Sequence, residues 1–212
     1  MPVITQIKQQ KNKNRVNVYL DGKFGFGIDL ENFVKLHLRV EQELTEKQIA
    51  EIVKKSEFQK TLGKLLKFAM MRPRSEKEIR SWLWRKKVAE VMYKDYFSRL
   101  KHFELIDDEK FARWWVEQRR EFSPRAERII KQELLIKGIK REIIDDVLGE
   151  SKVDEVKVAV GLLSKKKSGW KALGKEVLAR KSLEFLLRKG FGWEVARKAV
   201  KEYNIGEDVN EV

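Results

Sequence analysis

Lysine and arginine are the residues whose number and spacing in this sequence indicate a binding chemistry. The 212 residues include 47 Lys and Arg against 33 Asp and Glu, a formal net charge of +14. Residues 57–106 carry 13 basic and 6 acidic groups and residues 151–212 carry 14 and 9, whereas residues 107–150 are near neutral with 10 and 11. Clustered cations that neutralise phosphates and release counterions are typical of nucleic-acid binding. A membrane surface is disfavoured because no strongly apolar interfacial helix accompanies the charge; the alternative is a solvated, heat-adapted surface.

Three groups of these cations are the candidate phosphate contacts. One group follows a single predicted helix, the second occupies comparable positions in the middle of the chain, and the third lies near the C-terminus. Any single member can be an ordinary solvated charge, so the prediction depends on the set. The candidates are Arg72, Arg74, Lys77, Arg80, Arg85, Lys86, Arg125, Arg128, Lys131, Lys165, Lys166, Lys167, Lys171, Arg180, Lys181 and Arg188.

The six tryptophans are candidates for stacking on nucleic-acid bases. Trp82 and Trp115 occupy apolar helical positions and are predicted to be core residues. Trp84, Trp114 and Trp170 lie off the apolar stripes. Each is therefore a candidate contact with DNA or with a protein partner.

Acidic and histidine residues form no catalytic pattern. Asp107-Asp108-Glu109 and Asp145-Asp146 suggest a metal-dependent nuclease as an alternative, but N-capping of a helix explains Asp107 or Asp108 better. His37 and His102 lack partners at metal-ligand or triad spacing, and no phosphate-binding loop of an ATPase is present. We therefore predict a protein that is not an enzyme and has no cofactor and no metal.

The basic groups are positioned by helices that recur along the chain. Leu134-Leu135-Ile136-Lys137-Gly138-Ile139 has a copy at residues 186–191, in which Gly190 lies 52 residues after Gly138, and a weaker one at residues 83–88, in which Lys87 lies 51 residues before it. Such a period indicates stacked supersecondary units, and an apolar helix that ends in Lys-Gly indicates a glycine C-cap. The sequence thus predicts three three-helix repeats, at residues 57–106, 107–150 and 151–212.

Capping residues predict where several helices begin. Ser75 with Glu78 reads as a capping box, and Pro124 after Ser123 is predicted at the first position of a helix. Residues 1–56 read as an extension in which Asp21-Gly22 forms a hairpin turn and the capping box Thr45-x-x-Gln48 opens a helix. The predicted fold is mostly α: three tandem three-helix repeats in an elongated, curved array, with a small N-terminal antiparallel meander plus helix.

Four ordered motifs give the sequence a resemblance to a known family. They are Arg72-Pro73-Arg74-Ser75-x-x-Glu78, Leu105-Ile106-Asp107-Asp108-x-x-Phe111-Ala112, Arg128-Ile129-x-x-Glu133-Leu134-x-x-Lys137-Gly138-Ile139 and Leu187-x-x-Gly190-Phe191. Together they resemble the RecX family over residues 58–203. Two turns depart from the family pattern, because Lys87 stands where glycine is frequent and Phe122-Ser123-Pro124-Arg125 lacks a common glycine.

The resemblance implies tandem three-helix repeats and a role in DNA recombination, repair and the SOS response. It implies binding to the RecA filament on single-stranded DNA and to DNA itself, with restraint of the ATPase, strand-exchange and coprotease activities of RecA. The candidate cations would then meet DNA or the filament. The resemblance leaves open whether double-stranded DNA is also bound, how RecA is inhibited and what residues 1–56 contribute. It also leaves the oligomeric state open, and we expect a monomer. The alternative is a sequence-nonspecific nucleic-acid-binding repeat protein without RecA specificity.

The same composition predicts the cellular location. Cysteine is absent, which fits a reducing compartment. The N-terminus has no apolar segment of the secretory type, and no stretch approaches the roughly 20 apolar residues of a membrane span. We expect a cytoplasmic protein with no membrane partner.

Overall fold

The computed structural model describes residues 1–11, 13–150, 153–170 and 174–209, with the backbone alone at residues 167–168 and 204–209. The chain divides into two compact units, Met1–Arg72 and Pro73–Val212. The strands are β1 (Ile4–Gln9), β2 (Arg15–Leu20) and β3 (Lys23–Asp29). The helices are α1 (Leu30–Lys35), α2 (Glu46–Met70), α3 (Glu76–Arg85), α4 (Tyr93–His102), α5 (Asp108–Phe122), α6 (Glu127–Ile136), α7 (Arg141–Gly149), α8 (Glu155–Ser164), α9 (Lys167–Trp170), α10 (Lys175–Arg188) and α11 (Trp193–Val209).

The first unit is an antiparallel sheet covered by a helix. Its strands lie in the order β1-β2-β3, and the predicted turn joins β2 to β3 with φ of 47° at Asp21 and 79° at Gly22. Alternate residues of the sheet and Ile52 of α2 form its buried core. Ser56 of α2 is buried and donates to the Gly27 carbonyl at 2.6 Å, which fixes the helix on β3.

Helix α2 begins as predicted but continues further than the predicted domains allow. Both halves of the Thr45–Gln48 capping box are present. The predicted boundary between residues 56 and 57 lies inside this single helix of 25 residues. Nothing in the local sequence stops the helix there, and the break comes near Pro73, which disfavours helical backbone in the residue before it. No helix in the described part of the chain combines the length and the apolarity needed to cross a membrane.

The predicted mostly α architecture with an N-terminal sheet is confirmed. The second unit contains the second and third predicted repeats and the part of the first that follows Arg72. The first repeat contributes α3, a single 3-10 turn at Glu90–Met92 and α4; the second is α5–α7 and the third α8–α11. Each of the last two has its own core, centred on Phe111, Leu134 and Ile144 in one and on Leu163 and Phe191 in the other. The middle helices of the three repeats are α3, α6 and α10.

The middle helices end as the sequence predicts, but one begins elsewhere. Gly138 and Gly190 have φ of +85° and +92°, and Lys87 adopts the same left-handed backbone with φ of +56°. The start predicted at Pro124 is wrong, because α6 begins after Ala126. The Ala126 amide donates to the Lys189 carbonyl at 3.3 Å, so a contact with the third repeat sets this end of the helix.

Candidate nucleic-acid interface

The basic helix α3 is positioned by a junction with the second repeat. Ser75 caps α3 by accepting from the Glu78 amide at 3.2 Å, and its hydroxyl donates to the Lys137 carbonyl at the end of α6 at 2.8 Å. Asp108 accepts from the Glu76 amide at 2.9 Å. The Ser75 hydroxyl makes its half of the predicted Ser75–Glu78 box, and the Glu78 carboxylate pairs with the Lys137 ammonium at 2.6 Å.

An equivalent junction joins the second repeat to the third. The start of α6 meets the end of α10, where Ala126 bonds Lys189 and the Arg128 guanidinium donates to the Gly190 carbonyl. Glu155 of α8 accepts from the Glu127 amide at 2.7 Å, as Asp108 of α5 does from Glu76. In each pair of neighbours, the middle helix of the earlier repeat begins on the C-cap of the later one.

The two C-cap glycines are needed for space as well as for backbone conformation. A Cβ atom on Gly138 would lie 2.8 Å from Lys77 Cβ, and one on Gly190 would lie 2.1 Å from Ile129 Cγ1. Both contacts come from the helix that docks on the glycine. The repeated Lys-Gly sequence is therefore a helix terminus and a docking surface together.

An open groove runs between α3 and α4. Two adjoining cavities of about 510 and 580 Å³ form it. Arg80 stacks on Phe97, with 4.7 Å between the guanidinium and the ring centre, and its Nη2 lies 2.7 Å from Glu76. The charged and aromatic residues that line the groove are Glu76, Arg80, Trp84, Arg85, Glu90, Tyr93, Lys94, Phe97 and Lys101. Four cations against two carboxylates give the groove a positive balance.

The predicted contacts of the first basic group differ in exposure. Arg72 and Arg74 are half-buried, and Arg72 is the last residue of the first unit. Lys77 packs the stem of its side chain on Gly138. Lys77, Arg80, Arg85 and Lys86 are all exposed; the Arg85 Nε donates to the Ser81 carbonyl at 3.3 Å, and the Lys86 ammonium lies 5.8 Å from the centre of the Trp82 ring.

The second basic group is engaged inside the repeats. Arg125 Nη1 lies 3.6 Å from Glu133, a carboxylate that also accepts from Arg119 at 2.6 Å. Lys131 pairs with Asp145, and Arg128 bonds the third repeat as described above. The structure thus gives each of these cations a partner within the protein.

The third basic group is largely exposed. Lys165, Lys166, Arg180, Lys181 and Arg188 lie on α10 and at the end of α8. The Lys166 ammonium is 5.8 Å from the centre of the Phe185 ring, and Arg188 Nη1 is 3.9 Å from Glu184. Of the remaining predictions, the Lys167 side chain and all of Lys171 lie outside the described residues.

The three off-stripe tryptophans occupy different environments. Trp114 packs beside Phe111 at 5.9 Å and Trp170 beside Phe185 at 5.8 Å, and both are half-buried. Trp84 is 74% exposed on α3, at the edge of the groove. Trp82 is buried as predicted, and Trp115 is half-buried against the core of the second repeat.

Two cations of the groove are absent from the candidates predicted from sequence. Lys94 and Lys101 lie one heptad apart on α4 and line the groove opposite α3. Their spacing put them on one helical face. The sequence alone does not show that this face of α4 lies opposite Arg80.

Asp107 and Asp108 accept from backbone amides at the starts of helices. Asp107 is the N-cap of α5 and accepts from the Glu109 and Lys110 amides at 2.9 Å, which confirms the predicted capping role. Burial raises the pKa of Asp108 above its usual range, and the bond from the Glu76 amide offsets only part of that rise. Within the described residues no three His, Asp or Glu side chains are close enough to hold a metal ion.

Two family models match the chain. The N-terminal domain of regulatory protein RecX matches residues 2–45, and the second three-helix domain of RecX matches residues 107–148. The regulatory protein RecX of Bacillus licheniformis is 35% identical over 210 residues, covering 98% of this chain and 80% of that protein. The regulatory protein RecX of Listeria innocua is 32% identical over 212 residues, covering 97% and 77%.

Solved structures agree with these matches. A crystal structure of regulatory protein RecX aligns with a TM-score of 0.62 at 28% identity, covering 92% of this chain and 97% of that one. The crystal structure of RecX from Lactobacillus salivarius aligns with a TM-score of 0.56 at 23% identity, covering 69% and 96%. The second likeness concerns the fold alone.

Proposed function

Because the chain belongs to the RecX family of regulatory proteins, we propose that it binds the RecA filament on single-stranded DNA and lowers the ATPase, strand-exchange and coprotease activities of RecA. The protein acts as a regulator without a catalytic step of its own, in the cytoplasm, in recombination, repair and the SOS response. The observation that carries the proposal is the basic groove between α3 and α4, where four cations face two carboxylates.

Exposure divides the predicted contacts into two roles. Arg125, Arg128 and Lys131 would have to leave partners on another segment of the fold to reach a phosphate. The ion pairs of Arg80 with Glu76 and of Arg188 with Glu184 lie within one helix at the surface, and such pairs contribute little to stability. We assign the second group to holding the repeats together, and Arg72, Arg74, Lys77, Lys167 and Lys171 stay predictions. The proposed phosphate contacts are Arg80, Arg85, Lys86, Lys94, Lys101, Lys165, Lys166, Arg180, Lys181 and Arg188.

Titration of the protein into the DNA-dependent ATPase of RecA tests the function. The proposal predicts inhibition at amounts of protein too small to cover the DNA, because the target is the filament. A variant with Arg85→Glu, Lys94→Glu and Lys101→Glu should inhibit less. Its affinity for single-stranded DNA should also depend less on salt, with a slope smaller by about 2 for three lost phosphate contacts.

A matched control separates the groove from net charge. Lys47, Lys54 and Lys55 are exposed on α2, and their reversal to Glu changes the net charge by the same amount. This control should inhibit RecA like the wild type. Equal losses in both variants would assign the effect to charge alone, and absence of inhibition by the wild type would refute the proposal.

A further inference from the structure

We propose that Trp84 is a stacking platform for an unpaired base of single-stranded DNA whose phosphates follow the basic groove between α3 and α4. The inference rests on the proposed function, since it identifies where the nucleic acid lies, and it names the class of ligand as a single strand with exposed bases. Duplex DNA does not offer the face of a base, so stacking selects the single-stranded form.

Trp84 is exposed in a way that packing does not explain. The residues of α3 that face the core are Ile79, Trp82 and Leu83, and Trp84 follows them on the open side of the helix. The Trp84 side chain is 74% exposed and makes no hydrogen bond, ring contact or cation–π contact within the described residues. Trp114 and Trp170 pack on phenylalanines instead. A free indole of this size costs solvation free energy that a stacked base would recover.

The cations around Trp84 fit a phosphate backbone. Lys94 and Lys101 on the opposite wall form no ion pair within the described residues, and Arg85 follows Trp84 directly. Arg80 is held by Glu76, and its guanidinium lies 4.7 Å from the centre of the Phe97 ring, so it lines both parts of the groove. A ring at the edge of a cationic channel is the arrangement by which proteins bind single strands without reading their sequence.

Charge complementarity favours a nucleic acid over a protein at this groove. Glu90 is a carboxylate that lines both cavities, and Glu76 is already paired with Arg80. The uncompensated charge is therefore positive on both walls. A tryptophan that anchors a protein partner would instead be ringed by groups that exclude water from the contact.

Binding of two probes tests the stacking role. A fluorescein-labelled oligothymidylate and an abasic strand of the same length carry equal phosphate charge, but only the first has bases. Trp84→Ala should weaken binding of the oligothymidylate by about fivefold or more and leave the abasic strand unchanged. Trp84→Phe should retain most of the affinity because its ring still stacks.

A second exposed tryptophan supplies the matched control. Trp193 is 55% exposed at the start of α11, and Trp193→Ala should leave both affinities unchanged. Equal binding of oligothymidylate by the wild type and Trp84→Ala would overturn the stacking site, as would an equal loss for both probes. A loss confined to the RecA filament, with naked DNA unaffected, would also overturn it and make Trp84 a protein contact.

The failure of this inference is distinguishable from failure of the proposed function. If Trp84→Ala binds DNA like the wild type and the wild type still inhibits the RecA ATPase, only the stacking site is wrong. If the wild type neither binds the oligothymidylate nor inhibits RecA, the function itself fails.

Discussion

Replacing Gly190 with alanine should weaken the contact between the second repeat and the third and thereby lower the stability of the protein. The residue has φ of +92°, which costs an alanine about 1 kcal/mol. The added Cβ would lie 2.1 Å from Ile129 Cγ1 and 2.8 Å from Ile129 Cδ1, an overlap that requires Ile129 to move. Overpacking of this kind costs about 1–3 kcal/mol. We expect the free energy of unfolding of Gly190→Ala to fall by about 2–4 kcal/mol in total.

Tryptophan fluorescence during urea denaturation measures this loss in the relevant part of the molecule. All six tryptophans lie at residues 82–193, inside the second unit, so the signal reports on the repeats. The matched control is Gly161→Ala in α8. That glycine lies inside a helix with no atom within 4 Å of an added Cβ, so its replacement should stabilise the protein by about 0.5–1 kcal/mol.

A double-mutant cycle isolates the contact between the two repeats. Ile129→Ala removes the atoms that the Cβ added by Gly190→Ala would meet, so in that background the second change should cost only the backbone strain of about 1 kcal/mol. An equal cost in both backgrounds would refute the docking of α6 on this C-cap. So would a cost for Gly190→Ala no larger than about 1 kcal/mol in the otherwise wild-type protein.

Three further changes test individual contacts. Asp108→Asn keeps an acceptor for the Glu76 amide but removes the titrating carboxyl. Because the folded pKa of Asp108 is raised, the stability of the wild type relative to this variant should increase as the pH falls toward about 4, as measured by urea denaturation at several pH values. An increase on raising the pH would contradict the burial argument. Thr45→Ala removes the capping box of α2 and should cost about 1 kcal/mol in denaturation followed by circular dichroism, whereas no change would contradict the cap. Ser56→Ala removes the hydroxyl that donates to the Gly27 carbonyl at 2.6 Å and accepts from the Arg15 guanidinium at 3.1 Å. Because Arg15 still donates to Gly27 at 3.1 Å, the change should cost about 1 kcal/mol by the same method, and no change in stability would contradict the role of Ser56 in fixing α2 on β3.

The features that the sequence predicted correctly are local. The turn at Asp21-Gly22 and the left-handed C-caps at Gly138 and Gly190 depend on a few neighbouring residues and on the freedom of glycine at positive φ. The capping box at Thr45 likewise needs only a helix start and a glutamine three residues later. Signals of this kind do not depend on what the rest of the chain does.

The features that the sequence did not predict depend on contacts between distant residues. Pro124 is suited to begin a helix, but α6 begins after Ala126 because the end of α10 takes up the Ala126 amide. Arg128 is predicted as a phosphate contact because of its charge. Nothing near it in the sequence indicates that it donates to the Gly190 carbonyl, 62 residues away. Which cations remain exposed is thus decided by how the repeats dock.

The groove shows the same division between composition and geometry. The excess of positive charge in the first repeat is visible in the sequence, and so is the position of Trp84 off the apolar stripe. The sequence does not show that α3 and α4 lie side by side, which puts Lys94 and Lys101 opposite Arg80. The sequence therefore predicts a positive charge at the candidate interface, and the fold shows which residues line the groove.

Affinity for the RecA filament compared with affinity for naked single-stranded DNA, at one salt concentration and with the same oligonucleotide, tests the central claim most directly. Recognition of the filament predicts a Kd at least about tenfold lower for the filament, because contacts with RecA add to those with phosphates. Equal Kd values with the same salt dependence would contradict the account and identify a nucleic-acid-binding repeat protein without specificity for RecA.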